Sequence, residues 1–313
     1  MSSQGRFPAT GAGVPAGKAA IPIGVFDSGV GGLSVLRALR ERLPGEHFIY
    51  LGDTARLPYG TKSADTVLRY SLQCAAALIR RRIRCLVVAC NTASASALDA
   101  LRLHHPTLPI IGVIEPGAQA AVAASVSQHI AVIATEGTVG GGAYQRAICR
   151  VNPSARITVR ACSLFVSLAE EGWTEGPIVE AVARRYLDPI FQSVDAPDTL
   201  VLGCTHFPAL TAALRAVLPP RVTIVDSAAT TAAAVARQLE EATTDDAAIG
   251  ESTTDDAAID GAVMAAGGRG TEAGGTRGSV VWLATDGAAR FARVGSTFLG
   301  ETLRAEAVEI IDL

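Results

Sequence analysis

The chain has almost no lysine. Lys18 and Lys62 are the only two, so nearly all of its positive charge is arginine. A pyridoxal phosphate enzyme needs a lysine for its Schiff base, and Lys62, in an expected loop, is the sole plausible holder. Also missing are a C-x-x-C pair and a close His/Cys cluster, so the six scattered cysteines fit neither a disulfide scaffold nor a zinc site and point to a reducing compartment. No long Lys/Arg run or basic stripe accompanies the net charge of −3, which argues against nucleic acid as the main ligand. No uninterrupted apolar run is long enough to span a membrane, and residues 1–20, rich in Gly, Ala, Ser and Pro, lack the apolar core of a signal peptide. These absences together predict a cytoplasmic chain with a disordered amino-terminal tail over 1–20 and no membrane, metal or cofactor dependence.

What is present is a large apolar fraction, 49% of 313 residues, enough to bury the cores of two domains. Short β-branched runs alternate with helical patterns from Ile21 onward, which predicts mostly parallel sheets covered on both faces by helices. The pattern restarts near Gly117: Ile130–Thr135 resembles the first strand, Ile21–Phe26, and Thr199–His206 resembles Cys85–Thr92 at nearly the same offset. Two pseudo-symmetric three-layer α/β domains facing each other across a cleft follow. The first comprises 21–115 and 226–313, the second 116–225. Residues 241–250 recur almost unchanged at 251–260 and lead into a Gly-rich run, so 242–278 is expected to be a low-complexity insertion in the first domain, a loose loop beyond a helix ending near Glu241.

The two repeated stretches carry the chemistry. Each is an apolar strand that ends in a cysteine followed by hydrogen-bonding side chains: Cys90 with Asn91 and Thr92, Cys204 with Thr205 and His206. A thiol at the carboxyl end of a buried parallel strand points into the crevice where such sheets bind ligands. Cys74, Cys85, Cys149 and Cys162 have no such company and read as small buried hydrophobes. Asp27-Ser28-Gly29-Val30-Gly31-Gly32 forms a glycine-rich turn between the first strand and helix, a shape that can bring backbone N–H groups to an anion. A thiol and a thiolate on opposite sides of a stereogenic carbon can remove a proton from one face and return one to the other. Asp27, Glu170 and His206 are placed to set the two thiol states, and Ser28, Asn91, Thr92 and Thr205 offer neutral donors and acceptors.

The alternatives fit less well. Redox thiol pairs usually lie close in sequence. A hydrolase pairing Cys204 with His206 would need two residues on one strand end to reach each other. A two-lobed binding protein would need no thiols.

Four motifs in order, Asp-Ser-Gly-Val-Gly-Gly at 27–32, Pro-Tyr-Gly at 58–60, Cys-Asn-Thr at 90–92 and Gly-Cys-Thr-His at 203–206, resemble the signature set of the cofactor-independent glutamate racemases. The similarity covers about residues 21–241 and returns in the last strand. It implies interconversion of L- and D-glutamate to supply D-glutamate for peptidoglycan, by a homodimer using two cysteines matched here by Cys90 and Cys204. By the same matching, Asp27, Glu170 and His206 are assisting residues, and Asp27, Ser28, Tyr59, Gly60, Asn91, Thr92, Thr205 and His206 are substrate contacts. Where that family commonly has prolines ahead of the assisting glutamate, this chain has Ser163 and Ser167. An aspartate racemase of the same superfamily differs in demand by one methylene, worth only about 1–3 kcal/mol of discrimination.

Activity is expected to survive both dialysis against a chelator and treatment with a carbonyl reagent; loss of turnover that a metal ion restores would reject cofactor independence.

Overall fold

In a computed structural model the described residues are 21–251 and 277–313, with side chains described over 21–241 and 277–313. The expected tail at 1–20, and residues 252–276 of the expected insertion, lie outside them.

The chain opens with β1 (Ile23–Asp27), α1 (Leu33–Arg42), β2 (Phe48–Gly52), α2 (Ala64–Ile79), β3 (Cys85–Val88), α3 (Asn91–His104), β4 (Ile110–Gly112) and α4 (Ile114–Ala124). It continues with β5 (His129–Ala134), α5 (Glu136–Gly140), α6 (Ala143–Val151), β6 (Arg156–Ala161), α7 (Leu164–Glu170), α8 (Pro177–Phe191), β7 (Thr199–Gly203), α9 (Thr211–Val217) and β8 (Thr223–Asp226). It closes with α10 (Ser227–Glu251), β9 (Val280–Ala284), α11 (Ala288–Leu299) and β10 (Val308–Ile310).

Among the described residues there are two sheets, in the orders β10-β9-β2-β1-β3-β4 and β6-β5-β7-β8, and every pairing is parallel. The halves repeat each other: Ile23 lies beside Cys85 in one as Ile130 lies beside Thr199 in the other. β1, β2, β3 and β7 are buried along their whole length, which is why they read as continuous apolar runs instead of alternating ones. Alternate residues serve different cores. Phe26, Leu51, Leu86 and Val88 pack with Val67, Leu78 and Leu98, whereas Val25, Tyr50 and Val87 join a larger core with Leu36, Val235 and Phe291 that continues into the second half.

Several boundaries differ from expectation for identifiable reasons. α3 begins at Asn91, directly after the strand's cysteine, because the Cys90 thiol itself caps the helix by accepting from Ala93 N at 3.4 Å. The Glu115-Pro116-Gly117 stretch does not break the chain but lies inside α4, with proline in the first turn, where its missing N–H has no intrahelical partner to lose. Glu170 is the last residue of α7. α10 does not end near Glu241 but runs to Glu251 through the first copy of the repeat, so 242–251 is helical backbone and not a loose loop; once a helix is nucleated, each further residue adds a bond at little cost. Cys149 is exposed, unlike the buried Cys74, Cys85 and Cys162. Among the described residues no helix is long and apolar enough to cross a membrane.

The floor of the second sheet is pinned by Asp198, which accepts from Ser125 Oγ at 2.6 Å, Ser127 N at 2.6 Å and Thr199 Oγ1 at 3.0 Å. Burial works against its charge, but these bonds prevail and hold its pKa down at about 2. A depressed carboxylate pKa stabilises the fold above the unfolded value of about 3.9 and loses that contribution as pH falls through the folded one. Asp198→Asn should therefore cost about 1 kcal/mol at neutral pH, discounted for its partial exposure. Melting curves of variant and parent should converge as the pH is lowered from about 4 towards 2.

Candidate active site

The carboxyl ends of β1, β3 and β7 meet over one cavity of about 30 Å³. Its wall contains Ser28, Tyr59, Gly60, Cys90, Asn91, Thr92, Glu170, Cys204, Thr205 and His206, so every expected site residue except Asp27 faces the same space. Asp27 sits behind that wall, fully buried at the end of β1, where Oδ2 accepts from Gly29 N at 3.0 Å and Oδ1 has no hydrogen-bond partner. Burial raises its pKa against the opposing pull of His206 and the amides of Gly32, Gly29 and Ser28.

The two cysteines occupy equivalent positions in unlike surroundings. The Cys90 thiol donates to Ser28 Oγ at 3.6 Å, and burial, with the Asp27 charge next, pushes its pKa up to about 12. On the other side, Cys204 Sγ lies 3.8 Å from His206 Nδ1, and His206 Nε2 lies 3.0 Å from Glu170 Oε1. The expectation that Cys204 and His206 would not reach each other fails because β7 ends at Gly203 and the chain turns before Phe207. Burial disfavours the imidazolium. Even so, the hydrogen bonds to Cys204 and Glu170, with the charges of Cys204 and Asp27, push the His206 pKa up to about 10. Glu170 is desolvated too, yet its bonds to His206 and Arg290 keep its pKa below the usual range. The Cys90 thiol thus has a carboxyl behind it, whereas Cys204 has an imidazole beside it.

The remaining wall offers neutral groups. Asn91 Nδ2 donates to the Tyr144 hydroxyl at 2.9 Å and leaves its buried Oδ1 unpartnered. Thr92, Thr135 and Thr138 form a triangle of hydroxyls 3.0–3.2 Å apart that joins α3 to the start of α5. The Tyr59 hydroxyl is committed to Asp53, which also takes Arg56 Nε at 2.7 Å and Thr285 Oγ1 at 2.9 Å, so Tyr59 anchors its loop and does not offer that hydroxyl to the cavity. Thr135, Val166, Leu57 and Pro58 also line the cavity without having been singled out in the sequence. Thr135 was detectable, since the internal repeat sets it where Ser28 stands in the first half. Among the described residues no group of three or more His, Cys, Asp or Glu side chains is placed to hold a metal ion.

The glycine-rich turn brings the amides of Ser28, Gly29 and Gly32 to the Asp27 carboxylate, and its glycines also allow close packing. A Cβ on Gly31 would lie 2.5 Å from both His206 Nδ1 and Thr205 Oγ1, and one on Gly32 would lie 2.5 Å from Asp27 Cβ. Gly31 lets the two halves close on each other, and Gly32 lets the turn pack down on Asp27 within the first half.

A doubly repeated parallel α/β fold with a cysteine from each half on one cavity defines a class, and the chain belongs to the Asp/Glu/Hydantoin racemase family, which it matches over residues 23–235. Within that family it is similar to the glutamate racemase of Geobacter metallireducens, 52% identical over 69% of this chain and 79% of that one. It is likewise similar to that of Koribacter versatilis, 44% identical over 93% and 97%. Among solved structures, a glutamate racemase isoform from Bacillus anthracis superposes with a TM-score of 0.79 at 30% identity, covering 94% of this chain and 98% of that one. The glutamate racemase from Francisella tularensis in complex with D-glutamate gives 0.76 at 32%, covering 93% and 97%.

Gly31→Ala should leave a folded protein, since overpacking costs about 1–3 kcal/mol, but displace His206 and lower kcat/KM by about a hundredfold, as small misplacements at a site do. Parallel melting and activity measurements check this.

Proposed function

We infer that this protein is a glutamate racemase, interconverting L- and D-glutamate by proton transfer at the α-carbon between two cysteines, with no cofactor, and supplying D-glutamate for peptidoglycan. The observation that carries this reading is the pair of thiols on one cavity with opposite electrostatic neighbours: Asp27 behind Cys90, and His206 with Glu170 beside Cys204. The names of the similar proteins support glutamate as the substrate, including one determined with D-glutamate.

In the forward direction the Cys204 thiolate takes the α-proton of L-glutamate, and the Cys90 thiol gives its proton to the opposite face. Cys204 ends as the thiol, Cys90 as the thiolate, and the carbon inverted. D-glutamate runs the same steps from Cys90. The His206 imidazolium balances the thiolate at Cys204, and Asp27, whose pKa burial raises, answers the charge that moves to Cys90. Ser28, Asn91, Thr92 and Thr205 hold the amino and carboxylate groups, with Gly60 and the backbone of Tyr59 closing the wall. The substrate lies between one unit of 21–115 with 226–313 and another of 116–225. The enzyme works in the cytoplasm as a homodimer, a state that rests on the family resemblance.

Optical rotation with purified protein tests the reading, using L-glutamate and L-aspartate without added cofactor. Glutamate should racemise and aspartate far less. Cys90→Ser and Cys204→Ser should each lower racemisation at least about a hundredfold, because a serine hydroxyl is a far weaker base than a thiolate. Near-normal turnover in Cys90→Ser would reject the two-thiol mechanism.

A further inference from the structure

The acid–base pair beside Cys204 is completed from the opposite half of the molecule. Glu170 ends α7 in the half built on the second sheet, whereas α11 lies between β9 and β10 of the first. From α11, Arg290 Nη2 donates to Glu170 Oε2 at 2.9 Å while Glu170 Oε1 is engaged by His206. Eight residues further along the same helix, Phe298 packs edge-on against the His206 ring, with centroids 5.1 Å apart and planes at 76°. Glu170 also divides two spaces: the cavity that holds the thiols, and an outer one of about 140 Å³ bounded by Leu57, Asp286, Phe291 and Arg290. Without Arg290, the outer oxygen of Glu170 would face that space with water as its partner, and the carboxylate would be free to turn away from His206.

We propose that Arg290 is a positioning residue for racemisation, clamping Glu170 in the orientation that holds the His206 imidazolium against Cys204. Because the clamp spans the two halves, the Cys204 side reaches its working state only when they are closed. Arg290 does not touch the thiol cavity, so its loss should fall on kcat and leave KM nearly unchanged. The charged and titratable groups around His206 are Cys204, Glu170 and Asp27, with Arg290 acting through Glu170. Loosening the clamp weakens the bond that raises the His206 pKa, so the imidazolium should be lost at lower pH.

This inference rests on the glutamate racemase reading, and the test separates the two. Arg290→Ala and Arg290→Lys are compared with the parent in full pH profiles for both enantiomers, alongside thermal melting. Failure of the parent to racemise glutamate would sink the functional reading itself. With an active parent, Arg290→Ala should lose about tenfold in kcat/KM at neutral pH, equally for L- and D-glutamate because the enantiomers have equal free energy. Its basic limb should begin about one pH unit lower, one unit being tenfold in proton occupancy. Arg290→Lys should recover most of both effects, and neither midpoint should move by more than a few degrees, as fits an ion pair whose arginine is half exposed. A profile superimposable on the parent's would overturn the proposal. So would a pH-independent loss that lysine does not rescue.

Discussion

The His206 imidazole sits at the centre of this molecule with 5% of its surface exposed, and the hydrogen bonds around it raise its pKa against the cost of burial. An isolated buried cation is expensive, so His206 needs an anion or a strong acceptor on each side. Cys204 supplies one and Glu170 the other. Each of those groups imposes further requirements. Glu170 must itself be held, which falls to Arg290, and the ring must lie flush against the first half, which is why position 31 carries no side chain. Phe298 closes the remaining edge. The fold can be read outward from this charge.

The scaffold is symmetric, but its chemistry is not. β2-β1-β3-β4 and β6-β5-β7-β8 have the same order and equivalent registers, and each delivers a cysteine one or two residues past its third strand. The differences lie in the immediate neighbours. Behind Cys90 stands Asp27, where the second half has Ala134; beside Cys204 stands His206, where the first half has Thr92. Two substitutions on a duplicated frame separate an acid side from a base side. A substrate whose two forms are mirror images calls for that combination: walls alike enough to approach both faces, and charged groups different enough that only one thiol is ionised at a time.

Much of this was legible in the sequence. The strands are short, apolar and repeated, and α8 and α11 fall where their Pro177 start and Gly300 stop place them. The two cysteines stood out because polar residues follow them where packing would want apolar ones. What was not legible depended on three-dimensional proximity. No spacing rule brings Arg290 to Glu170 across 120 positions, or sets Asp53 under Tyr59 to turn its hydroxyl from the substrate to the loop. The turn after Gly203 that folds His206 back on Cys204 reads as strand continuation until its geometry is seen. Continuation of α10 into the acidic repeat was hidden by composition, since residues that favour a loop on average can still extend a helix that is already formed.

The size of the thiol cavity has a further consequence. About 30 Å³ accommodates two or three water molecules, less room than an amino acid needs, so little solvent shares the space between the thiols with a bound substrate. Under the two-thiol scheme each turnover leaves the hydrogen count of the pair unchanged but its location reversed: an enzyme that began ready for one enantiomer ends ready for the other. Returning to the first form requires moving a proton between two sulfurs that are both buried. On that scheme the free protein would exist as two proton isomers, each with a short memory of the hand of the last molecule it released.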